Sequence, residues 1–515
     1  MGESLSTSLA TGMSGLTAGN DMVVAYQPDA FVVIGISGRN RIRAMNVPPE
    51  VHAALSRLDQ EIQAKTGTAT DPLHEHYGTL KMQVGPGWLT FAQGGGKEQG
   101  TLGKYFVLRL FEEMYALGFN LVVSSDLARV GDNATWFFTK SSAPQGSRRT
   151  RVCCIAPGGA TNDKLTLLRH DEHVQQAVLL AIADCWPKGI VHAQAASAAG
   201  ENLTEIKLNG RWGWTHDDGI NTRKLICNMV GRMGGLNWRL IAATNLKGTT
   251  DSYFFMHDPP YTAHPNDMVM IALCKMDRMR MINCNHLFPQ LQTALSIAGL
   301  NIQENIDYYG CLEVKIQGTP WHSSNIEAIQ ARRAISRVLE MMAAHGYVPY
   351  YAIDVSKSDT DKASILFKKE PHPMNCKFAC LALTSINRIR LLDFPLDVGV
   401  PMRECIYQCY PFGVQNEVPL PDCNLEINLN GWPWQSYEPE KGAASFHAKA
   451  MLGRMMRIAE QHGWFCVLSA DVSCKTEPGP GHHGHTSIHD RHGHQDNRRP
   501  VDVHTLYFMK VNAPS

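Results

Sequence analysis

The sequence predicts an α+β protein built from four tandem homologous modules of about 115 residues, each approximately β-β-α-β-α-β-β. One string recurs four times: an amphipathic helix ends at Gly or Asn, an aromatic residue follows, and an apolar strand leads to Asp or Asn. The aromatic residue always lies seven positions before that Asp or Asn, and the Asp or Asn residues are 119, 109 and 117 positions apart. A module of this length can bury its own core. The four strings are Gly118–Asp126, Asn237–Asn245, Gly346–Asp354 and Gly463–Asp471.

The elements of each module follow from its local patterns. Two apolar strands come first, and the second begins with alternating basic residues in three copies, as in Arg41-Ile-Arg43. The helix before the aromatic residue is predicted from apolar spacing, because Met451 and Met455 share one face. The Gly or Asn that ends this helix supplies a left-handed stop. Before the helix come a short strand, a glycine and a tryptophan, and the last strand carries Ser or Thr three positions before Phe.

These anchors divide the chain into a tail and four repeats. Copy two, which has Lys164-Leu-Thr166 in place of the basic pair, is the most degenerate. The predicted divisions are a flexible tail at 1–25 and repeats at 26–143, 144–260, 261–372 and 373–515, the last with a His-rich insertion at 475–500.

Composition limits the classes of function. The 48 basic residues balance the 48 acidic ones, so the chain lacks the basic footprint of a nucleic-acid-binding protein. No apolar run is long enough for a spanning helix. The 14 cysteines are irregularly spaced, and none falls in the first 152 residues. This pattern predicts reduced thiols and a cytoplasmic location.

The N-terminus carries a lipidation pattern. Met1-Gly2 with Ser6 matches the signal for N-myristoylation of Gly2, although the acidic Glu3 weakens the match. The alternative is a tail that begins Met-Gly by chance. One myristoyl chain gives only reversible attachment, so the sequence predicts at most weak peripheral membrane contact.

Positions shared by all four copies are interpreted as structural, but two sets leave an alternative open. The first set is the Asp residues that follow strands, which form either a repeated carboxylate site or a side-chain-to-backbone turn. These residues are Asp126, Asp354 and Asp471. Copy two has Asn245, which favours the turn. Arg41 and its counterparts line either an anion-binding surface or, more commonly, a solvated sheet face.

The insertion in copy four carries the most unusual chemistry. Imidazoles are ligands for Zn²⁺, Cu²⁺ or Ni²⁺, so the segment is a candidate metal site. The alternatives are a disordered surface loop, since the spacing matches no zinc module, and a pH-sensing cluster. The six histidines are His482, His483, His485, His489, His492 and His494.

The glycine-rich segment from Gly94 to Lys104 does not match a phosphate-binding loop, because Glu98 follows Lys97 and Tyr105 follows Lys104. It is interpreted as a linker. Familiar catalytic motifs and dinucleotide-binding fingerprints are also absent from the sequence.

The leading hypothesis is therefore a cytoplasmic, multi-module binding or scaffold protein with a protein or small-molecule ligand. The alternative is a metal-dependent, hydrolase-like enzyme with one site in repeat 4, in which Asp471 and the histidines bind the metal.

Overall fold

The structure is a computed structural model that describes residues 31–512 except 38–40, 67–72, 77, 84–96, 128–131, 142–149, 160, 214–215, 247–249, 324, 357–360, 423, 435–442, 473–475, 479–497 and 501–502. Each module forms a six-stranded antiparallel sheet with two long helices, which confirms the predicted α+β architecture of four modules. Each of these sheets has one strand more than predicted, because a hairpin rather than a single strand lies between the two helices.

The bounds of the elements repeat closely from module to module. Module 1 consists of β1 (Phe31–Ser37), β2 (Arg41–Met45), α1 (Pro49–Thr66), β3 (His74–His76), β4 (Thr79–Gln83), α2 (Lys97–Ala116), β5 (Phe119–Ser125) and β6 (Asp132–Lys140). Module 2 consists of β7 (Val152–Gly158), β8 (Lys164–Leu168), α3 (Glu172–Cys185), β9 (Ile190–Ala198), β10 (Glu201–Leu208), α4 (His216–Gly235), β11 (Trp238–Thr244) and β12 (Ser252–His257).

Modules 3 and 4 follow the same plan. Module 3 consists of β13 (Met268–Cys274), β14 (Arg278–Ile282), α5 (Phe288–Ile297), β15 (Ile302–Tyr308), β16 (Cys311–Ile316), α6 (Asn325–Ala344), β17 (Tyr347–Ile353) and β18 (Asp361–Lys369). Module 4 consists of β19 (Cys376–Thr384), β20 (Arg388–Leu392), α7 (Leu396–Cys409), β21 (Val414–Leu420), β22 (Asn424–Leu429), α8 (Ala443–Gln461), β23 (Phe465–Ala470), β24 (Thr476–Pro478), β25 (Arg498–Pro500) and β26 (Thr505–Val511).

The strand order of every sheet is the same, and in module 1 it is β3-β4-β2-β1-β6-β5. The predicted left-handed stop ends the second helix of each module, with φ of 82° at Gly118, 62° at Asn237, 82° at Gly346 and 78° at Gly463. The aromatic residues after these stops are buried, as their structural interpretation predicts: Phe119, Trp238, Tyr347 and Trp464.

The tryptophans before the second helices are also structural. Trp321 and Trp434 are fully buried, and each indole donates a hydrogen bond to the backbone of the basic strand in its own module. The distances from Nε1 to the carbonyl oxygen are 3.0 Å to Arg278 and 3.1 Å to Arg388. These bonds fix the segment that leads into the second helix against the sheet.

The modules form a closed ring. One face of each sheet packs on the helices of its own module, and the other face receives the second helix of the preceding module: α2 contacts β7, α4 contacts β13, α6 contacts β19 and α8 contacts β1. At the centre, the edge strands β5, β11, β17 and β23 contact one another in a cycle. The last module therefore packs on the first, and the hydrophobic core runs through all four contacts.

Within the described residues, no helix is long and apolar enough to cross a membrane.

Candidate functional site

The repeated Asp positions lie at the contacts between modules. We call each such contact a seam and name it by its two modules, so that seam 4/1 closes the ring. At seam 4/1 the backbone N–H of His504 donates to the carbonyl oxygen of Asp126 at 3.3 Å. At seam 2/3 Asp251 donates in the same way to Asp354 at 3.2 Å, and at seam 3/4 Ala363 donates to Asp471 at 3.0 Å. The strand end that carries the Asp therefore joins one module to the preceding one.

Asp471, the predicted catalytic candidate, is part of seam 3/4. Its Oδ2 lies 3.2 Å from Nζ of Lys362, a residue of module 3 that is 7 % exposed. The ion pair adds a charged contact to the backbone hydrogen bond beside it. In the described contacts, the carboxylate of Asp471 thus serves to hold module 4 against module 3.

Seam 4/1 contains a cluster of serine and histidine side chains that sequence reasoning missed. The backbone N–H of Asp126 donates to Nδ1 of His504 at 3.3 Å. The hydroxyl of Ser469 lies 3.0 Å from the same nitrogen, and its oxygen is 2.7 Å from Oγ of Ser125. Because Nδ1 accepts a backbone N–H, the neutral imidazole carries its proton on Nε2.

The environment of His504 favours its neutral form. Burial lowers the pKa of His504, the nearby Asp471 raises it, and Lys362 lowers it further. Protonation at Nδ1 would place two donors face to face and break the bond from Asp126. The cluster therefore closes the ring best when His504 is uncharged.

The serine–histidine pair has the composition of a nucleophile and base. Ser469 and Ser125 are nevertheless 5 % and 2 % exposed, and they bond to each other across the seam. The described contacts use both hydroxyls to join β23 to β5. We therefore assign the cluster to ring closure.

Seam 2/3 has an equivalent hydrogen bond across the module contact, in which a carboxylate replaces the imidazole as the acceptor. Oδ2 of Asp251 accepts the backbone N–H of Asp354 at 2.7 Å. Oδ1 of Asp354 in turn accepts the N–H of Ser356 at 3.2 Å, which is the side-chain-to-backbone turn that the sequence favoured. The sequence marks these positions, because each directly precedes the repeated Ser or Thr of the last strand. The four residues are Ala134, Asp251, Ala363 and His504.

The pH dependence of stability is expected to change when Asp251 becomes asparagine. Burial raises the pKa of the Asp251 carboxyl to about 7, while the hydrogen bond from Asp354 lowers it. Between about pH 4 and about pH 7 the folded state therefore keeps a proton on Asp251 that the unfolded chain, with a pKa of about 3.9, has released. The free energy of unfolding falls as the pH rises through this range. Asp251→Asn keeps an oxygen acceptor for Asp354 and does not ionise.

Urea unfolding of both proteins between pH 5 and pH 8 measures this effect. The variant is expected to gain stability relative to the wild type as the pH rises, whereas Asp397→Asn on an exposed helix end serves as a control without that gain. Identical pH profiles for the wild type and Asp251→Asn would contradict the assignment.

The second arginine of each basic strand is buried (Arg43, Arg280 and Arg390), whereas the first is half-buried (Arg41, Arg278 and Arg388). The solvated sheet face that the sequence favoured is therefore wrong for the second arginines. Glu313, which is 2 % exposed, pairs with Arg278 at 2.9 Å and with Arg280 at 2.7 Å. In module 4, Glu426 pairs with Arg388 at 3.2 Å and with Arg390 at 2.8 Å. Arg280 and Arg390 lie on the sheet face that packs on the second helix of the preceding module, where their burial requires a carboxylate to balance their charge.

Several predicted site residues lie outside the described residues. These are Gly2, Trp88 and the six histidines His482, His483, His485, His489, His492 and His494, together with Gly94 to Gly96 of the glycine-rich segment. Lys97 to Lys104 of that segment form the first two turns of α2, so the linker interpretation is wrong for these residues. The strands β24 and β25, which precede and follow the histidines in the chain, pair antiparallel. Metal binding by these histidines and myristoylation of Gly2 stay predictions. Among the described residues, no group of three or more His, Cys, Asp or Glu side chains is placed to hold a metal ion.

Among the described residues no cysteine forms a disulfide bond, and all the cysteines but Cys185 are buried. Burial raises the pKa of several of them, for example that of Cys154 to about 12. Such thiols are poor nucleophiles and act as small apolar side chains.

The comparisons with known proteins agree with the repeat. The model of one domain family matches the chain four times, over residues 30–139, 152–256, 267–368 and 377–509. Each matched segment lies inside one predicted repeat. No curated protein matches the chain.

Proposed function

The chain belongs to the family defined by this domain, of which it contains four copies, and we propose that it is a ring-shaped scaffold that binds extended segments of partner proteins at its outer strand edges. The observation that carries this proposal is the way in which the sheets are covered. Each sheet packs between helices on both faces, and one of its edge strands lies at the centre of the ring. The opposite edge strand faces outward.

The outer edges differ in how open they are. Strand β9 is nine residues long, is exposed over most of its length, and contains no Asp, Glu, Lys, Arg or Pro. Strand β15 carries Glu304 and Asp307, β21 carries Glu417 and Pro419, and β3 has only three residues. Charges, proline and short length are the usual protection of an edge against pairing. Their absence makes β9 the edge best suited to a partner.

An extended segment can add a strand to such an edge. Backbone hydrogen bonds then supply the affinity, and alternate side chains of the segment supply the specificity. Val191 is 57 % exposed and Ile190 is 43 % exposed, so β9 offers apolar contacts beside its backbone groups. A rigid ring would hold this edge open without a cost of ordering it on binding.

A peptide-display selection against the full chain tests the proposal. Selected peptides are expected to alternate apolar and polar residues and to protect the amides of β9 from hydrogen exchange. The double substitution Val191→Lys and Ala193→Lys places charges on the edge and should weaken their binding at least tenfold. Gln303→Lys with Asn305→Lys makes the same type of change on β15 and should leave binding intact. Peptides that bind both variants equally, or that protect no amide of β9, would refute the proposal.

A further inference from the structure

Helix α7 of module 4 carries two cysteines, one turn apart, whose sulfur atoms are in contact. Sγ of Cys405 lies 3.8 Å from Sγ of Cys409 and donates its hydrogen to that sulfur. Each residue is 2 % exposed, and both belong to the core in which α7 packs on α8. One helix therefore brings the two thiols together without help from a distant segment of the chain.

The other modules have no thiol pair at these positions of the first helix. Side chains without sulfur fill the same part of the core there, so packing alone does not require two cysteines. The corresponding residues are Leu58 and Ile62 in module 1, Ala181 and Cys185 in module 2, and Leu295 and Gly299 in module 3.

The two thiols of module 4 differ in acidity. The hydrogen bond from Cys405 lowers the pKa of Cys409, although burial raises it, and the Arg454 guanidinium on α8 lowers it further. The same hydrogen bond raises the pKa of Cys405, and burial raises it as well. Cys409 is therefore the thiolate of the pair, and Cys405 is the thiol that donates to it. A thiolate beside an arginine, with a second thiol within reach, is the arrangement of an oxidation-sensitive cysteine and its resolving partner.

We propose that Cys409 is a peroxide-reactive thiolate and that Cys405 resolves its oxidised form as a reversible disulfide within α7. Because each residue is 2 % exposed, a small and uncharged oxidant such as hydrogen peroxide is the reagent that the site admits. The site lies on a helix of module 4 and is separate from the outer edge β9 of module 2. It therefore goes beyond the scaffold role and does not depend on it.

The reaction consists of two steps. The sulfur of Cys409 attacks one oxygen of hydrogen peroxide, the O–O bond breaks, and hydroxide leaves, which gives a sulfenic acid. The sulfur of Cys405 then loses its proton and attacks the sulfenic sulfur, so that the S–S bond forms and the S–O bond breaks. The oxygen leaves with that proton as water. In total, two thiols are oxidised to one disulfide, and one hydrogen peroxide is reduced to two water molecules.

The position of the pair at the end of α7 allows the bond to form. The sulfurs have to approach from 3.8 Å to about 2.05 Å. The β-carbons of residues one turn apart lie about 5–6 Å from each other and have to approach to about 3.5–4.5 Å. Cys409 is the last residue of α7, so only the final turn has to tighten. A disulfide that strains this turn is easily reduced, which makes the oxidation reversible.

Peroxide treatment of the reduced full chain, followed by mass spectrometry, tests the proposal. The remaining thiols are alkylated in denaturant, and chymotrypsin then cleaves after Tyr407, so that the disulfide joins two peptides. This link is expected to form before a thiol such as Cys154, whose pKa burial raises to about 12, is oxidised. Dithiothreitol should separate the two peptides. Absence of the link, or oxidation of Cys154 at the same rate, would overturn the proposal.

Two variants and a matched control separate the roles of the groups. Cys405→Ala introduces the residue that module 2 has at this position, so the fold should persist. It should form no link, and Cys409 should instead gain oxygen as a sulfenic or sulfinic acid. Arg454→Gln removes the cation beside the thiolate, so oxidation of Cys409 at pH 7 should slow at least about threefold and its rate profile should shift to higher pH.

Arg457→Gln makes the same change on α8 beside Glu460, with which Arg457 forms an ion pair at 2.7 Å. This control should be oxidised at the wild-type rate. Identical pH profiles for Arg454→Gln and the wild type, or an unmodified Cys409 in Cys405→Ala after peroxide treatment, would refute the assignment of Cys409 as the reactive thiolate.

Discussion

Replacing Glu313 with alanine is expected to lower the free energy of unfolding by about 3–5 kcal/mol, because removal of one partner leaves buried charges uncompensated. Glu313 is 2 % exposed and is the shared partner of Arg278 and Arg280. The loss extends beyond module 3, since the same seam contains the buried Arg223 of module 2, whose Nε donates to Ser364 at 3.0 Å. The same three cations would then remain at the seam without the carboxylate of Glu313.

Urea unfolding of Glu313→Ala beside the wild type measures this loss. Glu304→Ala, on the exposed strand β15, makes the same chemical change and is expected to alter stability by less than about 0.5 kcal/mol. A loss below about 1 kcal/mol for Glu313→Ala would mean that the ion pairs do not balance the buried arginines.

Replacing Phe111 with alanine is expected to cost about 3–5 kcal/mol through the cavity that it leaves. Phe111 lies on α2, is fully buried, and packs between the sheets of modules 1 and 2. Its ring meets that of Trp136 edge-on at 5.5 Å and that of Phe254 edge-on at 5.4 Å. One side chain therefore contributes to the cores of two modules.

Urea unfolding of Phe111→Ala beside the wild type measures the loss of stability, and hydrogen exchange shows which strands lose protection. Amides of both β6 and β12 should lose protection, because the cavity opens between them. Phe465→Ala, at a position that is 50 % exposed, serves as the matched control. Loss of protection confined to module 1 would contradict the shared core.

The internal repeat allowed the module plan to be predicted because each signal was local. Gly463 ends its helix, and the aromatic residue after it is buried, just as the recurring string indicates. The outer strand of each hairpin escaped detection for a physical reason. In β15 both faces are exposed, so Gln303 to Asp307 show none of the alternation that reveals a half-buried strand.

The ring and the candidate site depend on contacts that no local pattern encodes. Glu313 meets Arg280 from 33 positions away, and Ser125 meets Ser469 from 344 positions away. The ring is visible in helix α8 of the structure, because every residue from Ser445 to Gly453 is buried. Helix spacing alone predicted one apolar face, whereas a helix between two sheets has to bury both sides.

A disulfide across seam 4/1 tests the closed ring most directly. The hydroxyl oxygens of Ser125 and Ser469 are 2.7 Å apart, so the double variant Ser125→Cys and Ser469→Cys places two sulfurs within bonding reach. Mild oxidation of the folded protein should link module 1 to module 4 within one chain, seen as a faster-migrating band and as a single cross-linked peptide. The two single variants should form no such link. Unlinked chains, or links only between chains, would contradict a ring in which the last module packs on the first.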